Sequence, residues 1–246
     1  MAKVLMKGNE AIGEAAIRAG CLNYFAYPIT PQSEVAEYLA RRMPEVGGVF
    51  LQGESEVAVG YMLFGASGAG ARVFTTSSSP GISLMSEAIS YMAGAQVPAV
   101  FVNIMRGGPG LGGILPSQGD YFQATKSIGH GDFRLLVMAP ASVQEAVEMV
   151  MRAFPLAEKY RNPVMILGDG LTGQMMEPVE FPDDLKVEPT DKSSWATSGM
   201  DTRNSDTRNL VKSLFLDPAA LNNNNLVLKA KYEHMAREEV RWETYN

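Results

Sequence analysis

The chain has one cysteine, Cys21, and two histidines among its 246 residues. A lone thiol closes no intrachain disulfide, and without a Cys-x-x-Cys pair these residues hold no iron–sulfur cluster. So few nitrogen and sulfur donors argue against a zinc centre built by this chain alone, and no metal ligand is assigned. No apolar run approaches the roughly 20 residues that a membrane span needs. The first residues lack the apolar centre of a signal peptide, so the cytoplasm is the expected compartment. A basic excess is missing too: the net charge is −6, with both signs interspersed. That argues against nucleic acid as the main partner, although it leaves room for a local basic pocket. Neither a membrane nor an internal repeat at solenoid spacing is expected.

What is present is an alternation of short apolar runs and helical segments. Residues 9–20 read as a helix, with Asn9 as N-cap and Gly20 at the stop. Cys21–Tyr27 suits a strand. Thr30 then offers an N-cap and Pro31 a first helical position for a helix to about Met43. A strand at Val49–Gln52, a helix from Glu54 to Ser67 and a strand at Arg72–Thr76 follow. Ser79-Pro80 repeats the cap-then-proline signal and opens a helix to Gly94. Pro98–Met105 is apolar throughout, as a parallel strand covered on both faces should be. After the glycine-rich stretch 107–113 come a short helix near 120–129 and a strand at Arg134–Ala139. Ser142 and Glu145 form a capping box for a helix toward Tyr160, which Pro155 is expected to kink or split. Val164–Leu167 is the last strand, and Gly168-Asp-Gly170 reads as its end. Gly65, Gly68 and Gly70 suggest close packing against a neighbouring backbone.

Six strands alternating with helices imply an α/β fold: a doubly wound, mostly parallel sheet with helices on both faces. Residues 1–178 account for it. Beyond them, 181–209 are polar, Asn222–Asn225 is a biased run, and 226–244 look helical, with Leu228, Tyr232, Met235 and Trp242 along one stripe. No second complete core is visible, so 179–246 read as a linker and an amphipathic helix.

Three strings carry candidate chemistry: Tyr27-Pro-Ile-Thr-Pro31, Gly53-Glu-Ser-Glu-Val-Ala-Val-Gly60 and Arg106-Gly-Gly-Pro-Gly110. Each sets a reactive side chain (Thr30, Glu56, Arg106) where a strand gives way to a loop or helix start. In an open α/β sheet those positions gather at the carboxyl edge, where ligands bind. Each residue also has an ordinary explanation. A glutamate in a first helical turn is favoured by the macrodipole, Arg106 could pair with an internal aspartate or sit at a subunit contact, and Thr30 could simply cap. The Ser77–Gly81 turn offers backbone donors at a helix start, an anion cradle that includes Ser78 and Ser79. His130, between two glycines, could shuttle protons or touch substrate, or merely make a local hydrogen bond. Gly65–Gly70 sits late in a helical segment rather than at a strand-to-helix turn, which speaks against a Rossmann fingerprint. Residues 106–113 lack the Gly-Lys-Ser/Thr end of a P-loop. The 15 methionines suit adaptable core filling.

These strings, with Gly8-Asn-Glu-Ala, Glu54-Ser-Glu56 and Thr75 through Gly81, resemble the pyrimidine-binding subunit of thiamine diphosphate-dependent 2-oxoacid:ferredoxin oxidoreductases. The resemblance covers about residues 4–178. Pro116-Ser-Gln-Gly-Asp-Tyr-Phe-Gln-Ala-Thr125 is most similar to the branched-chain type, which acts on 3-methyl-2-oxobutanoate; the 2-oxoglutarate type stays open. The resemblance implies that Glu56 hydrogen-bonds the cofactor pyrimidine, that Arg106 and Thr30 orient the 2-oxoacid, and that Ser78 and Ser79 contact the cofactor. It also implies oxidative decarboxylation to an acyl-CoA and CO2 with reduction of ferredoxin. A diphosphate-binding subunit would supply the Mg2+ site, and partner subunits, including ferredoxin-like or gamma chains, the [4Fe–4S] cluster. Relatives continue into a further α/β domain at about the point where this sequence stops. Two other classes remain: a non-catalytic assembly subunit and a stand-alone nucleotide-binding Rossmann enzyme.

Overall fold

The first strand, β1 (Val4–Lys7), is not announced by any sequence period: two of its four residues are exposed and two half-buried, in no alternation. It pairs antiparallel with β8 (Met176–Val179), 169 or more positions away, in a separate two-stranded ribbon. A computed structural model describes the protein at residues 3–126, 128–185, 188–197 and 209–240.

The main sheet has six parallel strands in the order β3-β2-β4-β5-β7-β6: β3 (Val49–Gln52), β2 (Asn23–Ala26), β4 (Val73–Ser77), β5 (Ala99–Met105), β7 (Pro163–Asp169) and β6 (Leu136–Met138). These are the expected six: β2, β5 and β6 are shorter than expected, β3 matches, β4 is shifted by one residue, and β7 is longer at both ends. β4 and β5 are buried along their whole lengths, which explains why their sequences show no period-2 alternation. One face is covered by α1 (Gly8–Arg18), α2 (Ser33–Glu45) and α6 (Val143–Tyr160), the other by α3 (Glu56–Gly68) and α4 (Pro80–Gly94).

The winding fixes one special place. The helix after β2 lies on the first face and the helix after β4 on the second, yet β2 and β4 are neighbours. The chain leaves these strands in opposite directions, which opens a crevice at their carboxyl ends, the usual ligand position in such sheets.

Several sequence expectations change. Asn9 does not cap α1. It is fully buried inside the first turn, and its Nδ2 donates to the Pro31 carbonyl (2.8 Å) and Glu34 Oε2 (2.9 Å), pinning α2 to α1. Thr30 is not a cap either: α2 begins at Ser33, after Gln32. Ser79 does stand at the N-cap of α4 with Pro80 following, but its hydroxyl makes no capping bond. Pro155 does not split α6, which continues through it; the buried Phe154 and Ala157 on either side hold the helix against the core. The expected helix near 120–129 shrinks to α5 (Tyr121–Thr125).

Between β7 and β8 lies the short α7 (Gly170–Gln174), capped by Asp169 Oδ1, which accepts from the Thr172 amide at 2.9 Å. The C-terminal helix, α8 (Pro218–Glu238), starts earlier than expected because Asp217 caps it, accepting from the amides of Ala219 and Ala220. It thus includes the asparagine run. Leu228 and Met235 bury as the stripe requires; Trp242 lies outside the described residues.

Candidate functional site

Glu54 is exposed and Glu56 buried, two residues apart, and helix geometry decides between them. Ser55 caps α3 by accepting from the Ala58 amide at 3.2 Å. That cap makes Glu56 the first helical residue and turns its side chain inward, toward α4. The close approach needs a glycine opposite: a Cβ on Gly81 would lie 2.9 Å from Glu56 Oε1 and 2.0 Å from Ser77 Oγ. Among the described residues the Glu56 carboxylate has no hydrogen-bond or ion-pair partner. A carboxylate left this way normally costs stability. The first-turn position of Glu56 agrees with the ordinary macrodipole explanation, but burial against Gly81 without a partner goes beyond what that explanation needs.

Beside it, the hydroxyls of Thr75, Ser77 and Ser78 are buried and have no partner among the described residues. They cluster at the carboxyl end of β4. Below them the crevice floor is fully satisfied: the Tyr24 hydroxyl donates to Thr76 Oγ1 (2.7 Å), Thr76 to Gln32 Oε1 (2.5 Å), and Gln32 Nε2 to the Tyr27 carbonyl (3.2 Å). A rigid floor under unpaired donors is what a pre-formed polar site needs.

Arg106 follows β5 and is buried. Among the described residues it pairs with no aspartate. Its two terminal nitrogens donate to backbone carbonyls, one to Thr30 (3.0 Å) and the other to Leu111 (2.9 Å), while the buried Nε lacks an acceptor among the described residues. The guanidinium thus bridges the 27–31 loop to the 106–116 loop and brings Thr30 and Arg106 together. Thr30 itself is exposed, and among the described residues its hydroxyl makes no hydrogen bond.

Sequence reasoning missed Asn103 and Asp120. Asn103 is fully buried at the end of β5; its Oδ1 accepts from the Ser79 amide (2.9 Å) and its Nδ2 donates to Asp120 Oδ2 (2.9 Å). A polar residue inside the apolar run Ala99–Met105 was the available signal. Ser79 Oγ also donates to Asp120 Oδ2 (2.5 Å).

His130 is not brought to this edge. It is exposed, its amide donates to Glu87 Oε2 (3.1 Å) and its carbonyl accepts from Ser90 Oγ, both well along α4. Gly129 lies so close to the Ser86 carbonyl that a Cβ there would come within 2.4 Å of it.

A groove of about 580 Å³ lies elsewhere, between α8 and the β6 edge, with Leu136, Leu228 and Met235 among its walls. On the segments beside the crevice, Leu111, Leu115, Tyr121 and Phe122 are exposed. Among the described residues there is no group of three or more His, Cys, Asp or Glu able to hold a metal ion, and no helix long and apolar enough to cross a membrane.

Comparison with known proteins fits this geometry. The family model for the thiamine diphosphate-binding domain of pyruvate flavodoxin/ferredoxin oxidoreductases matches residues 14–222. Ketoisovalerate oxidoreductase subunit VorB of Methanothermobacter thermautotrophicus is 51% identical over the whole chain, which spans 68% of that relative. The 2-oxoglutarate synthase subunit KorA of the same organism is 43% identical over 74% of the chain and 48% of its own length. Among solved structures, 2-oxoglutarate:ferredoxin oxidoreductase from Magnetococcus marinus, with 2-oxoglutarate, coenzyme A and succinyl-CoA bound, superposes with a TM-score of 0.84 at 27% identity. It covers all of this chain and 47% of that one.

Proposed function

Since the chain belongs to the thiamine diphosphate-binding family of pyruvate flavodoxin/ferredoxin oxidoreductases, we propose that it is the pyrimidine-binding part of a 2-oxoacid:ferredoxin oxidoreductase. The substrate is 3-methyl-2-oxobutanoate, converted with coenzyme A to the acyl-CoA and CO2 while ferredoxin is reduced. The observation that carries this reading is the buried Glu56 carboxylate, unpaired among the described residues and pressed against Gly81 in the switch-point crevice.

The residues present fit the cofactor. Glu56 is placed to accept from or donate to a ring nitrogen, and the orphaned hydroxyls of Ser77 and Ser78 await a polar ligand. When bound, thiamine diphosphate supplies the nucleophilic carbon and the electron sink that decarboxylation requires. The protein's part is orientation and charge. Glu56 holds or releases a proton at its carboxyl oxygen, as general acid–base work demands. Arg106 offers its free N–H groups to the substrate carboxylate, with the fork already fixed by two carbonyls so that little freedom is lost on binding. The Thr30 hydroxyl lies on the 27–31 loop whose carbonyl Arg106 grips and is free to donate to that substrate. Ser79, with its hydroxyl engaged by Asp120 and its amide by Asn103, contributes by shaping the crevice wall beside the cofactor. His130 contacts substrate only if its loop is carried around by a partner.

We assign 1–178 as the pyrimidine-binding domain and 179–246 as a linker and amphipathic helix. Partner subunits supply the diphosphate site with its Mg2+ and the [4Fe–4S] cluster, and the assembly works in the cytoplasm. The branched-chain substrate is favoured because similarity to the ketoisovalerate subunit runs the full length of the chain, whereas similarity to the 2-oxoglutarate subunit covers three quarters of it. The 2-oxoglutarate reading draws its support from the solved structure.

The test is anaerobic purification with native partners, followed by viologen reduction on a panel of 2-oxoacids with and without coenzyme A. Turnover should be highest on 3-methyl-2-oxobutanoate, and Glu56→Ala should cut it by roughly two orders of magnitude in an intact complex. Unchanged turnover in that variant would instead identify a non-catalytic assembly subunit.

A further inference from the structure

We propose that Asp120 is a positioning residue that locks the Ser77–Gly81 turn to Arg106, holding the cofactor and substrate sides of the crevice at one spacing. This rests on the reading above, in which the turn faces thiamine diphosphate and Arg106 faces the 2-oxoacid.

The starting point is a serine that declines its usual task. At an N-cap before proline, a serine hydroxyl normally accepts from the first amides of its own helix. Ser79 makes no such bond. Its Oγ donates to Asp120 Oδ2 at 2.5 Å and accepts from the Arg106 amide at 3.0 Å. Asn103 closes the ring, donating to the same Asp120 oxygen and accepting from the Ser79 amide, each at 2.9 Å.

One carboxylate oxygen therefore gathers the start of α4 and the end of β5 and fixes both to the 117–125 segment. Ser79, Asn103 and Arg106 are buried, and Asp120 is half-buried at the crevice rim. The ring lies between the unpartnered Ser77 and Ser78 hydroxyls on one side and the Arg106 guanidinium on the other. Only an accepting oxygen is required at Asp120. A carboxamide oxygen in the same place accepts both bonds, whereas a methyl accepts neither.

The experiment compares the native complex with Asp120→Ala, Asp120→Asn and Ser79→Ala. Hydrogen exchange is followed without cofactor on peptides spanning 77–81 and 103–107, which hold the Ser79 and Arg106 amides. Exchange there should quicken about tenfold in Asp120→Ala, the scale of one charge-assisted hydrogen bond, and stay near wild type in Asp120→Asn. Ser79→Ala cuts the link from the other side and should loosen the 103–107 peptide. In the same preparations the Kd for thiamine diphosphate, by calorimetry, and the KM for the 2-oxoacid should rise together in Asp120→Ala, with kcat falling less.

Native-like exchange at both peptides in Asp120→Ala overturns the proposal. So does a variant whose melting temperature alone falls while Kd and KM hold. Full turnover in Glu56→Ala would sink the functional reading separately, because the exchange readout judges the lock without reference to any reaction.

Discussion

Replacing Glu158 by alanine should destabilise the protein more than almost any surface change, and the reason is charge left behind. Glu158 lies in the last turn of α6 with its side chain buried, where it takes two hydrogen bonds from Arg72 (2.9 and 2.8 Å), an ion pair from Lys192 (2.8 Å) and both the amide and hydroxyl of Thr190 (3.1 and 3.2 Å). Both cations are also buried. Removing the anion strands two positive charges, which costs about 3–5 kcal/mol. For a chain of this length that lowers Tm by roughly 6–20 °C. Burial by itself would raise the Glu158 carboxyl; the hydrogen bonds from Arg72 and Lys192, with Thr190, outweigh it and hold the group at about 2, against an ordinary 4.5. A depressed carboxyl stabilises above its ordinary value and loses that contribution as pH falls through the lowered one. The gap between wild type and Glu158→Ala should therefore be full above about pH 5 and narrow toward pH 2. After discounting for residual solvent contact, about 2–3 kcal/mol of it should titrate. Thermal unfolding followed by circular dichroism at pH 7 and pH 3 reads both effects. Replacing Arg72, Glu158 and Lys192 together by methionine should recover most of the loss, since an apolar trio leaves no charge unpaired. A single-variant loss under about 1 kcal/mol, or a triple variant no better than the single, would refute the argument.

Gly81→Ala should leave the fold nearly intact but displace Glu56, because the new methyl would sit 2.9 Å from its Oε1 and 2.0 Å from Ser77 Oγ. Turnover of the assembled enzyme should drop at least about tenfold, comparable to losing one oriented catalytic contact; a fully active variant would show that the close approach is unimportant. Lys231 donates to the Arg161 carbonyl at 3.2 Å, and burial, followed by the Arg161 charge, pushes its ammonium down to about 7 from 10.5. The unfolded chain then binds this proton more tightly, so stability rises with pH between those values. Lys231→Met should be more stable than wild type near pH 7, with the difference gone by about pH 10; equal slopes across that window would count against it.

The sheet was legible because its strands are short apolar runs punctuated by glycine and proline, and a fully buried parallel strand such as β5 hides no information in alternation. The β1–β8 ribbon was not, since its two four-residue strands, far apart in sequence, meet only through the tertiary fold. Local signals were read well where the partner is local. Ser142 caps α6 as expected, with Glu145 reaching back to the Ala141 amide at 2.7 Å. They misled where a distant group outbids the local one. Asn9 looked like a cap and became a tie to the 31–34 segment. Thr30 looked like a cap and became the loop whose carbonyl Arg106 grips.

Ser79 marks the limit of such reading. Its serine-proline string is indistinguishable from an ordinary helix start, and what diverts the hydroxyl is an aspartate 41 positions further along. The same holds for Glu56 beside Glu54: the inward turn follows from a cap at Ser55, but the space that admits the carboxylate belongs to Gly81, on another helix. Residue type and spacing locate candidates at the edge of a sheet. Whether a candidate is left without a partner depends on its neighbours across the crevice, and a buried carboxylate that folding does not pair is kept at a cost that a hydrogen-bonding ligand offsets.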